Sequence, residues 1–266
     1  MSDRSVLEAY WENPNTVSLI DENLRKLETE FVLSNLGGQE CFGDLGCGAA
    51  ESTVYYAQKV KHCIAIEQSS TLRKKAQEVL STHEIRNVDL IAGDVRDLAE
   101  HYQKFDAVLT QRVVINFMSW PEQQAVLDSI AETLKPGGIY ICIENTFEGF
   151  EEMNKTRRAI QLDNIKLHDW HNHFLFRDEF LAHMQNKFAL EKTQNFNLYY
   201  LLTRVFLNMF ASFDGFGINA KKDEIFSVAD HAARQLHNIY NHKLTFALNA
   251  GDSFGPIQGF IFRKRG

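Results

Sequence analysis

Apolar residues at Val17, Ile20, Leu24, Leu27 and Phe31 recur at steps of three and four, the spacing of one helix face, and Gly37-Gly38 ends that helix. A short apolar stretch at Cys41–Leu45 follows, then glycines at 46 and 48, then a helix through 51–60. The rhythm repeats: Cys63–Ile66 reads as a strand, 70–80 as a helix, and Val88–Ala92 and Ala107–Thr110 as strands. Helix 120–134 opens with Ser119 and Glu122 at capping-box spacing and buries Val126, Leu127, Ile130 and Leu134. Pro136-Gly137-Gly138 then turns the chain into the strand Ile139–Ile143. Short apolar runs alternating with helices predict a parallel sheet covered on both faces.

After Glu144 the rhythm breaks. The pattern predicts a helix at 177–186, a strand at Phe188–Asn195, helices at 198–210 and 223–240, and a closing strand at 257–264. The chain so divides into an N-terminal helical segment (1–38), a cofactor-binding core (39–196), a helical insertion (197–253) and a last strand (254–266). No internal repeat and no low-complexity segment interrupts it.

Composition narrows the class. With 44% hydrophobic and 24% charged residues in 266, this is an ordinary soluble globular chain. No apolar run approaches the roughly 20 residues that cross a bilayer, and the start MSDRSVLEAYW lacks the apolar block of a signal peptide. A net charge of −7 repels phosphate backbones, so nucleic acid is a poor partner, and the basic end FRKRG reads as a solvated strand end. Cys41, Cys47, Cys63 and Cys142 form no CxxC pair and read as reduced core residues, neither a disulfide frame nor a zinc site. The expectation is a cytoplasmic protein.

The chemistry starts at 41-CFGDLGCGAAEST-53. A glycine turn between the first strand and its helix lets backbone N–H groups approach a ligand, although dinucleotides, flavins and other nucleosides all use one. Three acids at strand ends narrow the choice. Asp44 could accept from an ammonium group, Glu67 from two ribose hydroxyls, and Asp94 from an adenine amino group. Together these describe S-adenosylmethionine and fit NAD less well.

On these residues the chain resembles the class I S-adenosylmethionine-dependent methyltransferases. Residues 44-DLGCGAA-50 match the family's glycine motif, 66-IE-67 its ribose acid, 93-GDVRDL-98 its adenine-site motif and 134-LKPGG-138 the turn before its fifth strand. Ala50 stands where the last glycine is usual. The resemblance implies an α/β, Rossmann-like sheet of seven strands, mostly parallel with the last antiparallel. It also implies a cofactor set of Asp44, Gly46, Cys47, Gly48, Glu67, Gln68, Asp94, Val95 and Gln111, with S-adenosylhomocysteine as product. Roughly sixty residues separate the last two strands, where relatives have a short turn. They are expected to form a helical lid over the acceptor pocket.

A narrower likeness, to a bacterial small-molecule subgroup, rests on the segments 111-QRVVINFMSWPEQ-123 and 157-RRAIQLDNIKLHDWHNHFLF-176, where Phe174 replaces a tyrosine. Methyl transfer needs alignment, exclusion of water and, for a hydroxyl acceptor, a base. His171 is the candidate base, with a structural role for it and Trp170 as the alternative, and metal ligation by His168, His171 and His173 as a remote one. Arg112, Asn116, Trp170, Asn172 and Tyr199 are candidate acceptor residues. Arg112 and Asn116 could equally brace their loop, and Glu144 and Asn145 carry the same two readings. Tyr10 and Trp11 could cap the cofactor; Tyr200 and Arg204 could line the pocket. The expected reaction is O-methylation of a small polar metabolite or sugar-like hydroxyl, with no metal and no nucleic-acid or membrane partner. N-methylation is the nearer alternative. A nicotinamide-dependent oxidoreductase and a non-catalytic cofactor-binding protein are those from other classes.

Overall fold

The computed structural model describes residues 3–16, 21–167, 172–212, 222–247 and 253–266. Seven strands form one sheet in the order β3-β2-β1-β4-β5-β7-β6: β1 Phe42–Leu45, β2 Cys63–Glu67, β3 Val88–Ala92, β4 Phe105–Gln111, β5 Leu134–Asn145, β6 Phe188–Asn195 and β7 Ile257–Lys264. Strands β1 to β5 pair in parallel, and β7 runs antiparallel to both β5 and β6. The order reverses between β1 and β4, and the crevice beyond their carboxyl ends is where such sheets bind ligands.

Strand residues alternate between two cores. Cys63, Ala65, Leu109 and Ile141 face one apolar layer, and Ile64, Ile66, Val108 and Tyr140 face the other. The first layer takes Leu24, Leu27 and Phe31 from α2 (Glu22–Leu33). The second takes Val126, Leu127 and Ile130 from α5 (Trp120–Thr133) and Phe180 and Met184 from α7 (Arg177–Met184). Helices α3 (Thr53–Ala57) and α4 (Ser70–Thr82) follow β1 and β2.

Several boundaries differ from the sequence reading, each for a local reason. The Asp21 carboxylate caps α2 by accepting from the Leu24 N–H at 3.0 Å, so that helix starts at Glu22; Val17 and Ile20 lie outside the described residues. Strand β5 starts at Leu134, which pairs with Phe105 before the register shifts, so Pro136-Gly137-Gly138 is an irregular stretch inside the strand and not a turn ahead of it. Two helices had no bounds in the sequence reading: α1 (Asp3–Glu12), within the N-terminal helical segment, and α6 (Phe147–Ala159). Both are rich in charge, and α6 buries only a narrow face around Phe150 and Met153.

Between β6 and β7 the chain forms α8 (Asn197–Tyr200), a π-helical stretch (Leu201–Phe206), α9 (Leu207–Ser212) and α10 (Lys222–Ala247). Helix α10 packs on α8 and on α2. Tyr199 donates to Asp21 at 2.7 Å and Arg204 pairs with the same carboxylate, tying this material to the start of α2.

Candidate active site

The loop after β1 closes onto β2: the N–H groups of Gly46 and Cys47 both donate to the Ile66 carbonyl, at 2.8 and 3.1 Å. Gly46 and Gly48 hold φ of +77° and +58°, a region that disfavours side chains. A Cβ on Gly46 would stand 2.6 Å from Val113 Cγ2, so this glycine permits close packing of the β4 loop. A Cβ on Gly48 would meet open space, on the cavity side. Ala50, in place of the usual glycine, keeps the left-handed conformation at φ +58° with its methyl fully buried.

Glu67, at the end of β2, completes the loop. Its Oε2 accepts from the Gly48 N–H at 3.0 Å and its Oε1 from the Ser69 N–H at 2.8 Å. Burial pushes its carboxyl up from the usual carboxylate range, against the pull of those donors. Burial also pushes the Asp44 carboxyl up to about 6, opposed by the Thr53 hydroxyl, which donates to it at 2.7 Å.

A cavity of about 680 Å³ opens here, within the range of roughly 300–1,000 Å³ usual for small-molecule sites. Gly46, Gly48, Glu67 and Gln68 form one wall, Asp94 and Val95 a second, and Gln111, Arg112, Val113 and Asn116 a third. Asp44, Cys47 and Tyr199 are not in the wall. Tyr199 is fully buried with its hydroxyl on Asp21, and Asp44 stands behind the loop on Thr53.

Asp94 is held by its own loop, accepting from the Arg96 N–H at 2.9 Å and from its guanidinium through both oxygens. Arg96 in turn lies 5.8 Å over the Phe117 ring. The third wall is braced from behind by Glu28 of α2, fully buried, which pairs with Arg112 and accepts from Gln111 Nε2 at 2.5 Å. Arg112 itself takes φ +57°. Asn116 turns its Nδ2 to the carbonyls of Arg112 and Val113, leaving Oδ1 buried without a partner among the described residues.

Candidate base His171 and its neighbour Trp170 lie outside the described residues, as does His168. The chain after them is anchored beside the site: the His173 N–H donates to the Ile115 carbonyl at 2.7 Å. Asn172 is left-handed at φ +66°. Phe174 buries its ring edge-on to Phe150 at 5.5 Å. Among the described residues no group of three or more His, Cys, Asp or Glu side chains is placed to hold a metal ion, and no helix is long and apolar enough to cross a membrane.

Of α1, the sequence reading singled out Trp11, which borders the cavity, and Tyr10, which does not; it missed Leu7, Glu8 and Glu12 beside them. Glu12 caps α4 from outside, accepting from the Ser70 N–H at 2.8 Å and the Thr71 N–H at 3.2 Å. Those donors hold the Glu12 carboxyl down to about 2 although burial opposes them. Glu28 was missed too, with a legible signal: it sits four residues after Leu24, an acid on the apolar stripe of α2.

A seven-stranded sheet with β7 antiparallel, a glycine loop on an acid at the end of β2 and a cavity at the strand-order reversal form the Rossmann-like α/β fold found in S-adenosylmethionine-dependent methyltransferases. The residues fit that cofactor: Gly48 leaves room at the wall, and Glu67 keeps lone pairs beyond its two backbone bonds. Residues 43–138 match the methyltransferase domain family. An uncharacterised protein of Rickettsia prowazekii, RP028, is 26% identical over 131 residues, covering 48% of this chain and 52% of that protein. The carboxy-S-adenosyl-L-methionine synthase of Escherichia coli is 25% identical over 151 residues, covering 47% of this chain and 60% of the synthase. The chain thus spans only part of the length of the curated relatives it matches. Among solved structures, the N-methyltransferase NodS of Bradyrhizobium japonicum, in complex with S-adenosyl-L-homocysteine, superposes with a TM-score of 0.53 at 16% identity, over 73% of this chain and 90% of that one. It shares the fold.

Proposed function

We propose that the protein transfers the methyl group of S-adenosylmethionine to a small-molecule acceptor, with a hydroxyl as the acceptor atom. The observation that carries the reading is the Gly48–Glu67 unit at the mouth of a 680 Å³ cavity whose far wall is Gln111, Arg112 and Asn116. In such a site the bound cofactor supplies an activated methyl on sulfur. Glu67 would hold the ribose hydroxyls, and Asp94 would accept from the adenine amine. The wall after β4 would orient the acceptor, while Trp11 and Phe117 exclude water. In this proposal the helical material between β6 and β7 shapes the acceptor side, and the protein works in the cytoplasm.

A second reading has a specific support, the likeness to carboxy-S-adenosyl-L-methionine synthases: a reaction that alters the cofactor itself. Calorimetric titration with S-adenosylmethionine, S-adenosylhomocysteine and NADH tests the cofactor. Incubation with pools of hydroxyl and amine metabolites follows, with mass spectrometry of both cofactor and acceptors. S-adenosylhomocysteine with a methylated hydroxyl supports the first reading, a methylated amine replaces it with N-methylation, and a cofactor of altered mass replaces it with the second. Binding of NADH alone would overturn them all.

A further inference from the structure

Glu144 is fully buried at the end of β5 and is outside the cavity wall. Its carboxylate nevertheless accepts three successive backbone N–H groups of the loop after β4. Oε1 takes those of Val113 and Val114 at 3.0 and 2.9 Å, and Oε2 that of Ile115 at 3.3 Å. The preceding N–H, of Arg112, donates to the Ile143 carbonyl at 2.7 Å. Arg112 is left-handed at φ +57° and Val113 right-handed at φ −99°, ψ −49°. Consecutive residues of opposite hand turn their N–H groups to one side and form a concavity that binds anions. Here the chain's own carboxylate fills it.

The loop so held supplies cavity-wall residues Arg112, Val113 and Asn116, and Val113 packs onto Gly46. A non-glycine residue at positive φ persists only where its surroundings over-determine it. Resting on the reading of this cavity as the S-adenosylmethionine site, we infer that Glu144 is a positioning residue: as an anion it holds the 112–116 loop in the shape that closes the third wall against the cofactor loop.

Chemistry supports the dependence on charge. An ionised carboxylate accepts at both oxygens, whereas a protonated one keeps one acceptor oxygen and turns an O–H toward the N–H group or groups on the other. Burial pushes the Glu144 carboxyl up to about 7 against the three N–H donors. Other groups facing it are Thr110 from β4, Tyr140 and Cys142 from β5, and Arg112 from the loop, with Gln258 of β7 opposite in register. The loop shape should therefore be complete at pH 8 and fail as pH drops through about 7.

The test compares wild type with Glu144→Gln, a variant of the same size that lacks the second acceptor oxygen. Amide ¹H shifts of Val113, Val114 and Ile115 are followed from pH 6 to 8.5, and S-adenosylmethionine affinity is measured by calorimetry at both ends. The expected result is that the three amides titrate together near pH 7 in wild type and not in the variant. The folded variant should also bind at least tenfold more weakly at pH 8 and lose the wild-type dependence on pH. Glu144→Ala, measured for thermal stability alongside, separates loss of fold from loss of loop shape. Flat amide shifts in wild type, or a folded Glu144→Gln protein binding within twofold of wild type, would overturn the inference. If wild type binds no S-adenosylmethionine while the amides titrate as expected, the cofactor reading falls and the hold of Glu144 on the loop stands.

Discussion

The Gly48 N–H donates to Glu67 Oε2 at 3.0 Å, which makes the end of β1 and the end of β2 one structural unit. A change at Glu67 therefore reaches both the ligand and the loop. Losing a hydrogen bond to a charged group costs about 1.5–3 kcal/mol, a factor on the order of 10–100 in affinity. Glu67→Ala is expected to weaken S-adenosylmethionine binding by at least that much. Glu67→Gln, which keeps one carbonyl oxygen, should fall between it and wild type in the same calorimetric titration.

The two loop glycines should separate stability from binding. At Gly46 a methyl meets Val113 at 2.6 Å with φ +77°, so Gly46→Ala combines conformational strain of about 1–2 kcal/mol with a clash. We expect its loss to appear in thermal unfolding, as well as in affinity. At Gly48 the methyl has space, so Gly48→Ala should cost only the strain of φ +58° in stability. It places its methyl where a ligand would lie, so binding should suffer more than folding. Equal effects of both variants on melting temperature would contradict this division.

The Glu28–Arg112 pair is a buried bridge between α2 and the third wall. Removing one partner of a buried pair strands the other charge, at about 3–5 kcal/mol. Glu28→Leu and Arg112→Met are each expected to destabilise the fold in urea by that order. The double variant should be more stable than either single one, because no charge is left alone. If the double variant loses the sum of the singles, the two side chains do not interact.

Asp44 should make the stability of the fold depend on pH. Its carboxyl titrates at about 6 in the fold, against roughly 3.9 in an unfolded chain. The unfolded state therefore releases its proton first as pH rises. The stability linked to Asp44 is full below about pH 4 and is lost as pH rises through about 6. Asp44→Asn removes that loss, so at pH 7 the variant should melt higher than wild type. A lower melting temperature across pH 4–7 would show that the Asp44 carboxylate is stabilised where it sits.

Local patterns carried most of the fold. The bounds of β6 and β7 coincide with the strands read from the chain, because strand propensity and flanking turns are properties of neighbouring residues. Two charged helices, α1 and α6, did not announce themselves: α1 has no fully buried residue among those described, and α6 buries only a narrow face against a surface formed elsewhere. At the cavity, Gly46, Gly48, Glu67 and Asp94 were legible because they end strands. The brace of Glu28 behind Arg112 was not, and neither was the cap of Glu12 on α4. Each joins residues more than fifty positions apart.

The chain's own order of apolar and polar residues was enough to determine a mainly parallel sheet with a glycine loop and acids at its strand ends, because those features depend on local period and spacing. Only the tertiary structure decided which of the acids face the cavity and which stand behind it. Glu67 reaches the wall, Asp44 is turned to Thr53, and Glu144 is spent on the backbone of the neighbouring loop. That allocation depends on which distant donors arrive beside each carboxylate, and a buried carboxylate settles on the donors that packing brings to it.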